Sequence, residues 1–217
     1  PTGLLQTTPP EGVIVDLSTV DPGTTCRMAA LARDRSVGYV DAPVLGRPRS
    51  VGKWALPVGG RAEDLERCRP ILSLVAARII HIGESGSGNK IKLLNQMMFS
   101  AINAMTAEMM VVAEKVGVPP KLLYETITSS QAGTVSNLFI ELGKTIINEK
   151  YDDPTFSVDL LCKDVRLAID MAKAHGAPPL FLGLTQFMNE TAQAQGLGAK
   201  DTAVMWKACR SFWDRRG

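Results

Sequence analysis

From Gly12 to about Ile82, short apolar runs rich in β-branched residues alternate with stretches of helical period. GVIVDLS is followed by a helix from Pro22 to Arg35, then VGYVDAPV, WALPVGG, a helix from Ala62 to Val75, and RIIHI. Strands separated by helical segments predict an α/β layer with at least partly parallel pairing. From Asn89 onward no β-rich run occurs. The spacing predicts helices over 89–116, 121–129, 135–148, 158–175, 180–195 and 201–213, with GVPP, HGAPP and QGLG as stop signals. The first carries Met, Ala and Leu nearly all the way round, which predicts a core helix buried in a bundle, with a second subunit as an alternative cover. The fold class expected is therefore α/β followed by all-α, divided at about residues 1–87 and 88–217.

Charge narrows the function classes. The net charge of +2 comes from 24 basic and 22 acidic residues scattered along the chain, which offers no patch for nucleic acid or a membrane surface. Cys26, Cys68, Cys162 and Cys209 lie far apart, and only His81 and His175 could join them at a metal. That pattern argues against a disulfide framework or structural zinc and favours a reducing, cytoplasmic setting. No uninterrupted apolar stretch reaches the ~18 residues of a membrane span, and no signal peptide is legible. The chain begins with Pro1, which suggests a start inside a longer polypeptide. Neither histidine is assigned a catalytic role: His81 ends an apolar strand and His175 precedes a glycine stop.

The change of texture falls on GESGSGNKIKLLNQ, residues 83–96. A strand before it and a helix after it suit a phosphate-binding loop, and Gly83 to Gly88 supplies the frame. The side chains do not suit it. Asn89 stands at the lysine position and Lys90 at the position of the magnesium-ligating hydroxyl. The dinucleotide pattern G-x-G-x-x-G fails as well, because Ile91 stands where the third glycine belongs. Lys92, Asn95 and Gln96, by contrast, share one helix face among apolar neighbours. Two readings stay open for Lys92: a partly desolvated acid/base, or a lysine snorkelling to solvent near the helix start.

Five ordered motifs resemble the β-hydroxyacid dehydrogenases, the family of 3-hydroxyisobutyrate dehydrogenase, with 6-phosphogluconate dehydrogenase more distant. VIVDLSTVDP resembles the strand and turn beside the nicotinamide, YVDAPVLG the D-A-P-V-S-G substrate loop, and LPVGG the strand that ends in V-G-G. HIGESGSGNKIKLLNQ is similar to the segment G-x-G-x-x-x-K-x-x-N-[NQ] that carries the catalytic lysine. FSVDLLCKDVRLA is similar to a late F-x-x-x-L-x-x-K-D helix. The resemblance implies a partial Rossmann-like (doubly wound) nucleotide-binding domain followed by a helical substrate and dimerisation domain. It implies an NADP- or NAD-dependent dehydrogenase or reductase acting on a small-molecule carbonyl or imine.

Carried over residue by residue, Lys92 would be the general acid/base, with Asn95 and Gln96 orienting it or the substrate. Ser18 and Thr19 would lie near the nicotinamide ribose, Lys163 would approach the cofactor, and Asp164 would hold Lys163 or cap backbone groups. Without the family context, Asp159 and Lys163 would read as an ordinary i,i+4 surface pair. Leu45, Gly46 and Arg47 occupy the substrate loop, where Leu45 replaces the family's carboxylate-binding serine. That replacement implies a bulkier or less acidic substrate, or an anion contact from Arg47 or Arg49. The family's N-terminal glycine turn does not occur in the sequence. Either a segment precedes Pro1, or the protein is a truncated, redox-silent descendant that binds or isomerises a hydrophobic metabolite or acts in assembly, its open strand edge covered by a partner. The apolar surface of the long and late helices predicts a homodimer.

Overall fold

The structure is a computed structural model and describes residues 3–129, 136–176 and 179–214. In chain order the elements are α1 (Leu4–Thr7), β1 (Val13–Asp16), α2 (Pro22–Arg33), β2 (Gly38–Asp41), β3 (Trp54–Gly59), α3 (Ala62–Leu72), β4 (Ala76–Gly83), α4 (Ser87–Lys115), α5 (Pro120–Ser129), α6 (Asn137–Ile147), α7 (Val158–Ala174), α8 (Leu180–Ala194) and α9 (Met205–Asp214). The chain divides into two compact units, Pro1–Asn95 and Gln96–Gly217, and the division falls within α4.

In the first unit the four strands lie in the order β1-β2-β3-β4. β1 pairs parallel with β2 in a register that sets Asp16 opposite Asp41, and β3 pairs parallel with β4. Each parallel pair is joined by a crossover helix, α2 or α3. β2 and β3 are antiparallel because the segment between them holds only a 3-10 turn at Pro48–Ser50 and cannot make a crossover. β2 stops at Asp41, ahead of Pro43, which has no N–H to give a ladder.

Successive β2 residues serve opposite layers. Val40 joins Leu56, Val58, Leu65 and Leu72 under α3, whereas Tyr39 joins Ala29 and Ala32 under α2. Both faces of this strand are covered, so all four of its residues are buried. This is the layered α/β arrangement expected. One detail differs from the periodicity: α3 ends at Leu72 rather than Val75, with Pro70 inside its last turn.

The second unit is helical, as the sequence predicts, apart from an isolated bridge between Ser157 and Asp201. Asp201 caps a 3-10 turn, Thr202–Val204, so α9 begins at Met205 and not at Asp201. Ser136 and Ser157 cap α6 and α7 by accepting from Phe139 N and Leu160 N. The expected start of α6 at Val135 lies outside the described residues. The core gathers Met110 and Val111 of α4 with Leu142, Val158, Met205 and Trp206.

The expectation that α4 is buried on all sides is not met. Met98 and Met105 are 66% and 55% exposed, and Val112 continues the same stripe. The opposite face carries the buried residues, so the helix is amphipathic within one chain. Its outward face is apolar where a solvated helix would be charged.

Candidate functional site

Parallel pairing of β1 and β2 brings two loops off the sheet at the same level, since Asp16 and Asp41 are in register. In open α/β sheets the crevice beyond the carboxyl ends of the strands is where nucleotides bind. The loop after β1 carries Ser18 and Thr19. Asp16 shapes it: one carboxylate oxygen accepts from Ser18 N at 2.9 Å and the other from the Tyr39 hydroxyl at 2.7 Å. Burial, reinforced by Asp16, raises the Tyr39 pKa and keeps that hydroxyl a donor. Ser18 itself is exposed.

The loop after β2 carries Leu45, Gly46 and Arg47. Leu45 is pinned by a two-way backbone bridge with Ala55, at 2.9 Å and 3.2 Å, and its side chain is half-buried. A Cβ on Gly46 would lie 2.2 Å from the Trp54 ring, so only glycine lets that indole close over the loop. The Trp54 indole N–H in turn donates to the Arg47 carbonyl at 2.8 Å.

Lys92 meets this loop directly. Its ammonium donates to the Val44 carbonyl at 2.9 Å, and the residue is half-buried. The proposed acid/base therefore sits one residue from Leu45. Asn95 lies one turn further along α4 and is exposed.

The glycine-rich stretch does cradle an anion, and the anion is the protein's own. Asp41, fully buried, accepts from Gly86 N at 2.8 Å through one oxygen and from Asn89 N at 3.0 Å through the other. Gly88 leaves the necessary space: a Cβ there would lie 2.9 Å from the Asp41 carboxylate and 2.5 Å from the Pro57 carbonyl. Gly86 has φ +92°, a conformation glycine adopts without strain. Burial pushes the Asp41 pKa up, and the amide donors pull it back.

Asn89 completes the junction. Its side-chain carbonyl accepts from Val20 N at 3.1 Å and its amide donates to the Thr25 hydroxyl at 3.2 Å. Sequence reasoning passed over Asp41 and treated Asn89 only as a misplaced lysine. The available signal was an acidic residue ending a strand opposite a helix start that is rich in glycine.

Gln96, Lys163 and Asp164 belong to the helical unit. The buried Gln96 amide donates to Asp164 Oδ2 at 2.7 Å, and the Lys163 ammonium lies 2.9 Å from Oδ1 as an ion pair outside hydrogen-bond alignment. Gln96 is thus engaged with a carboxylate, while Asp159 accepts from Gln193 at 2.6 Å. The histidines bond to backbone carbonyls: His81 to Gly60 at 2.7 Å and His175 to Met171 at 2.8 Å. Among the described residues no helix is long and apolar enough to cross a membrane.

Comparison with known proteins defines first a class and then a family. Residues 1–83 match the profile described as the NAD binding domain of 6-phosphogluconate dehydrogenase, and residues 86–209 the profile described as NAD-binding of NADP-dependent 3-hydroxyisobutyrate dehydrogenase. These matches define an NAD(P)-dependent oxidoreductase. The 2-(hydroxymethyl)glutarate dehydrogenase of Eubacterium barkeri is 31% identical over 209 residues, covering 95% of this chain and 69% of that protein. The 3-sulfolactaldehyde reductase of Escherichia coli K12 is 28% identical over 203 residues, covering 92% and 67%.

Among solved structures, 3-hydroxyisobutyrate dehydrogenase from Salmonella typhimurium superposes with a TM-score of 0.88 at 24% identity, over 94% of this chain and 72% of that one. The Mycobacterium tuberculosis enzyme, solved with L-serine, gives 0.78 at 27% identity, over 95% and 72%. The chain belongs to the 3-hydroxyisobutyrate dehydrogenase-like family and spans about two thirds of the length of the two curated relatives named here, 69% and 67%.

Proposed function

We propose that this NAD(P)-dependent oxidoreductase transfers hydride to or from a carbonyl or imine, with Lys92 as general acid/base. The observation that carries the reading is the seating of the Lys92 ammonium against the Val44 carbonyl, beside the loop that holds Leu45. When bound, NAD(P)H would supply the hydride for reduction and NAD(P)+ would accept it for oxidation. The exposed Ser18 and its neighbour Thr19, at the carboxyl end of β1, are the residues proposed to hold the nicotinamide ribose. Lys163 is the proposed cofactor contact of the helical unit.

Hydride addition builds negative charge on the substrate oxygen, and a positioned ammonium can neutralise it by proton transfer. Such a group contributes roughly 10²–10⁴-fold in rate. Lys92→Ala should therefore lower turnover by about that factor while leaving the fold and the NADPH or NADH fluorescence titration intact. Turnover at the unmodified rate in that variant rejects the assignment, and failure of the unmodified protein to bind either nucleotide rejects the redox reading as a whole.

Leu45 directs substrate choice in this proposal. An apolar side chain donates no hydrogen bond to a carboxylate, so the preferred substrate presents apolar bulk next to its reacting carbon. Leu45→Ser should move kcat/KM toward small hydroxy acids, including those resembling the substrates that name the relatives. An unchanged ratio removes Leu45 from the specificity account. The exposed stripes Met98–Met105–Val112 on α4 and Phe181–Leu184–Phe187 on α8 also support a homodimer. Light scattering at the mass of one chain contradicts it.

A further inference from the structure

We propose that Asp41 is a positioning residue for Lys92, fixing the first turn of α4 so that the lysine reaches the Val44 carbonyl. This rests on the reading of Lys92 as acid/base and adds to it the group that aims it. The segment Asp41–Val44 holds α4 at two points. Its first residue grips the backbone of the helix start through both carboxylate oxygens, at Gly86 N and Asn89 N. Its last residue accepts the lysine tip through its carbonyl. One short piece of chain thus fixes both the origin of the lysine-bearing helix and the far end of the side chain.

The grip is strong by chemistry and by confinement. Amide-to-carboxylate bonds are charge-assisted, and they lie where water does not compete, since Asp41 and Asn89 are both fully buried. Gly59 and Gly88 approach the carboxylate so closely that a Cβ on either would lie 2.4 Å and 2.9 Å from its oxygens. Glycine at both positions is what leaves the carboxylate its place. Asn89, whose own amide is one of the two donors, carries the same anchor to Val20 and Thr25 beside the Ser18–Thr19 loop. A carboxylate serving only to cap the helix would stabilise the fold without affecting how the lysine is aimed, and that difference can be measured.

Asp41→Asn keeps the shape and one acceptor but turns a donor toward one of the two amides. It should lower kcat about tenfold, the order expected for loss of one buried charge-assisted bond, and leave the KM for NAD(P)H within about twofold. The decisive comparison places the same substitution in Lys92→Ala rescued by a small primary amine, which aligns itself. There Asp41→Asn should have little effect, because no tethered lysine remains to be aimed.

Wild-type kcat in Asp41→Asn, or an equal tenfold loss in the amine-rescued background, overturns the proposal. Full turnover by Lys92→Ala alone would instead reject the acid/base reading on which it rests. Should Asp41→Asn fail to fold, Gly86→Ala strains the same junction at φ +92° while leaving the carboxylate in place. The same loss in the lysine enzyme and its absence under amine rescue are expected of that variant too, and an equal loss in both overturns the proposal.

Discussion

The two units bury polar groups on different terms. In the sheet unit, Asp41, Asn89 and Thr25 are fully buried and bonded to one another or to backbone. In the helical unit Ser100, Thr185 and Asn189 form a comparable seam between α4 and α8. Next along α4 on that seam, Asn103 is only 1% exposed, yet neither end of its amide has a partner. Apolar side chains face outward in both units, Ile71 and Leu74 in the sheet unit as well as the stripes of α4 and α8. A buried network that is fully satisfied holds one geometry, which suits a region that aims a proton donor. Unsatisfied buried groups mark a unit whose stability has slack to be taken up by mutation.

The comparison can be broken in several places. The largest effect is expected in the sheet unit at Lys92, where Lys92→Ala should lower kcat by about 10²–10⁴-fold without moving the melting temperature. Steady-state rates and a thermal melt on the same sample check both halves of that statement. Next comes Leu65→Ala, which removes a fully buried side chain on the inner face of α3 and should cost about 2–5 kcal/mol in urea unfolding. A smaller cost means that this layer is looser than its packing indicates.

In the helical unit Phe187→Glu changes a side chain that is 60% exposed. It should leave monomer stability within about 0.5 kcal/mol while shifting sedimentation from dimer to monomer. A large loss of stability with unchanged mass places Phe187 in the core of its own chain. Asn103→Leu replaces the unpartnered amide by apolar atoms of similar size and should stabilise the protein by about 1 kcal/mol. Destabilisation would show that a water satisfies the amide.

The smallest effect expected is one of pH. Burial raises the Asp41 pKa above its ordinary 3.8 in the folded protein. The folded state then holds that proton more firmly than the unfolded chain, so this group's contribution to stability declines as pH rises from about 4 through the raised native value. Asp41→Asn should flatten that portion of the curve. Equal pH dependence in the two proteins rejects Asp41 as its source.

Much of this architecture is legible in the chain itself. Alternating strands and helices up to Ile82 and unbroken helical periods after Asn89 follow from local patterning, which needs no knowledge of what packs on what. Lys92 was marked by ordered motifs. The antiparallel turn between β2 and β3 was not, because strand direction depends on whether a connection crosses the sheet. The exposed stripe of α4 was not either. An apolar residue reads alike whether it is covered by its own chain, by another chain, or by nothing.

The glycine-rich stretch separates the two kinds of information most clearly. Its composition alone marked the passage from strand to helix and argued against a nucleotide loop, with Asn89 and Lys90 where that loop needs a lysine and a hydroxyl. Which acceptor fills that cradle was decided by the sheet. The register that sets Asp41 beside Gly59, and Gly59 beside Gly83, carries the end of β2 to the point where Asp41 meets Gly86 and Asn89, residues more than forty positions away in sequence. Such a contact rests on long-range strand register, and no local pattern encodes it.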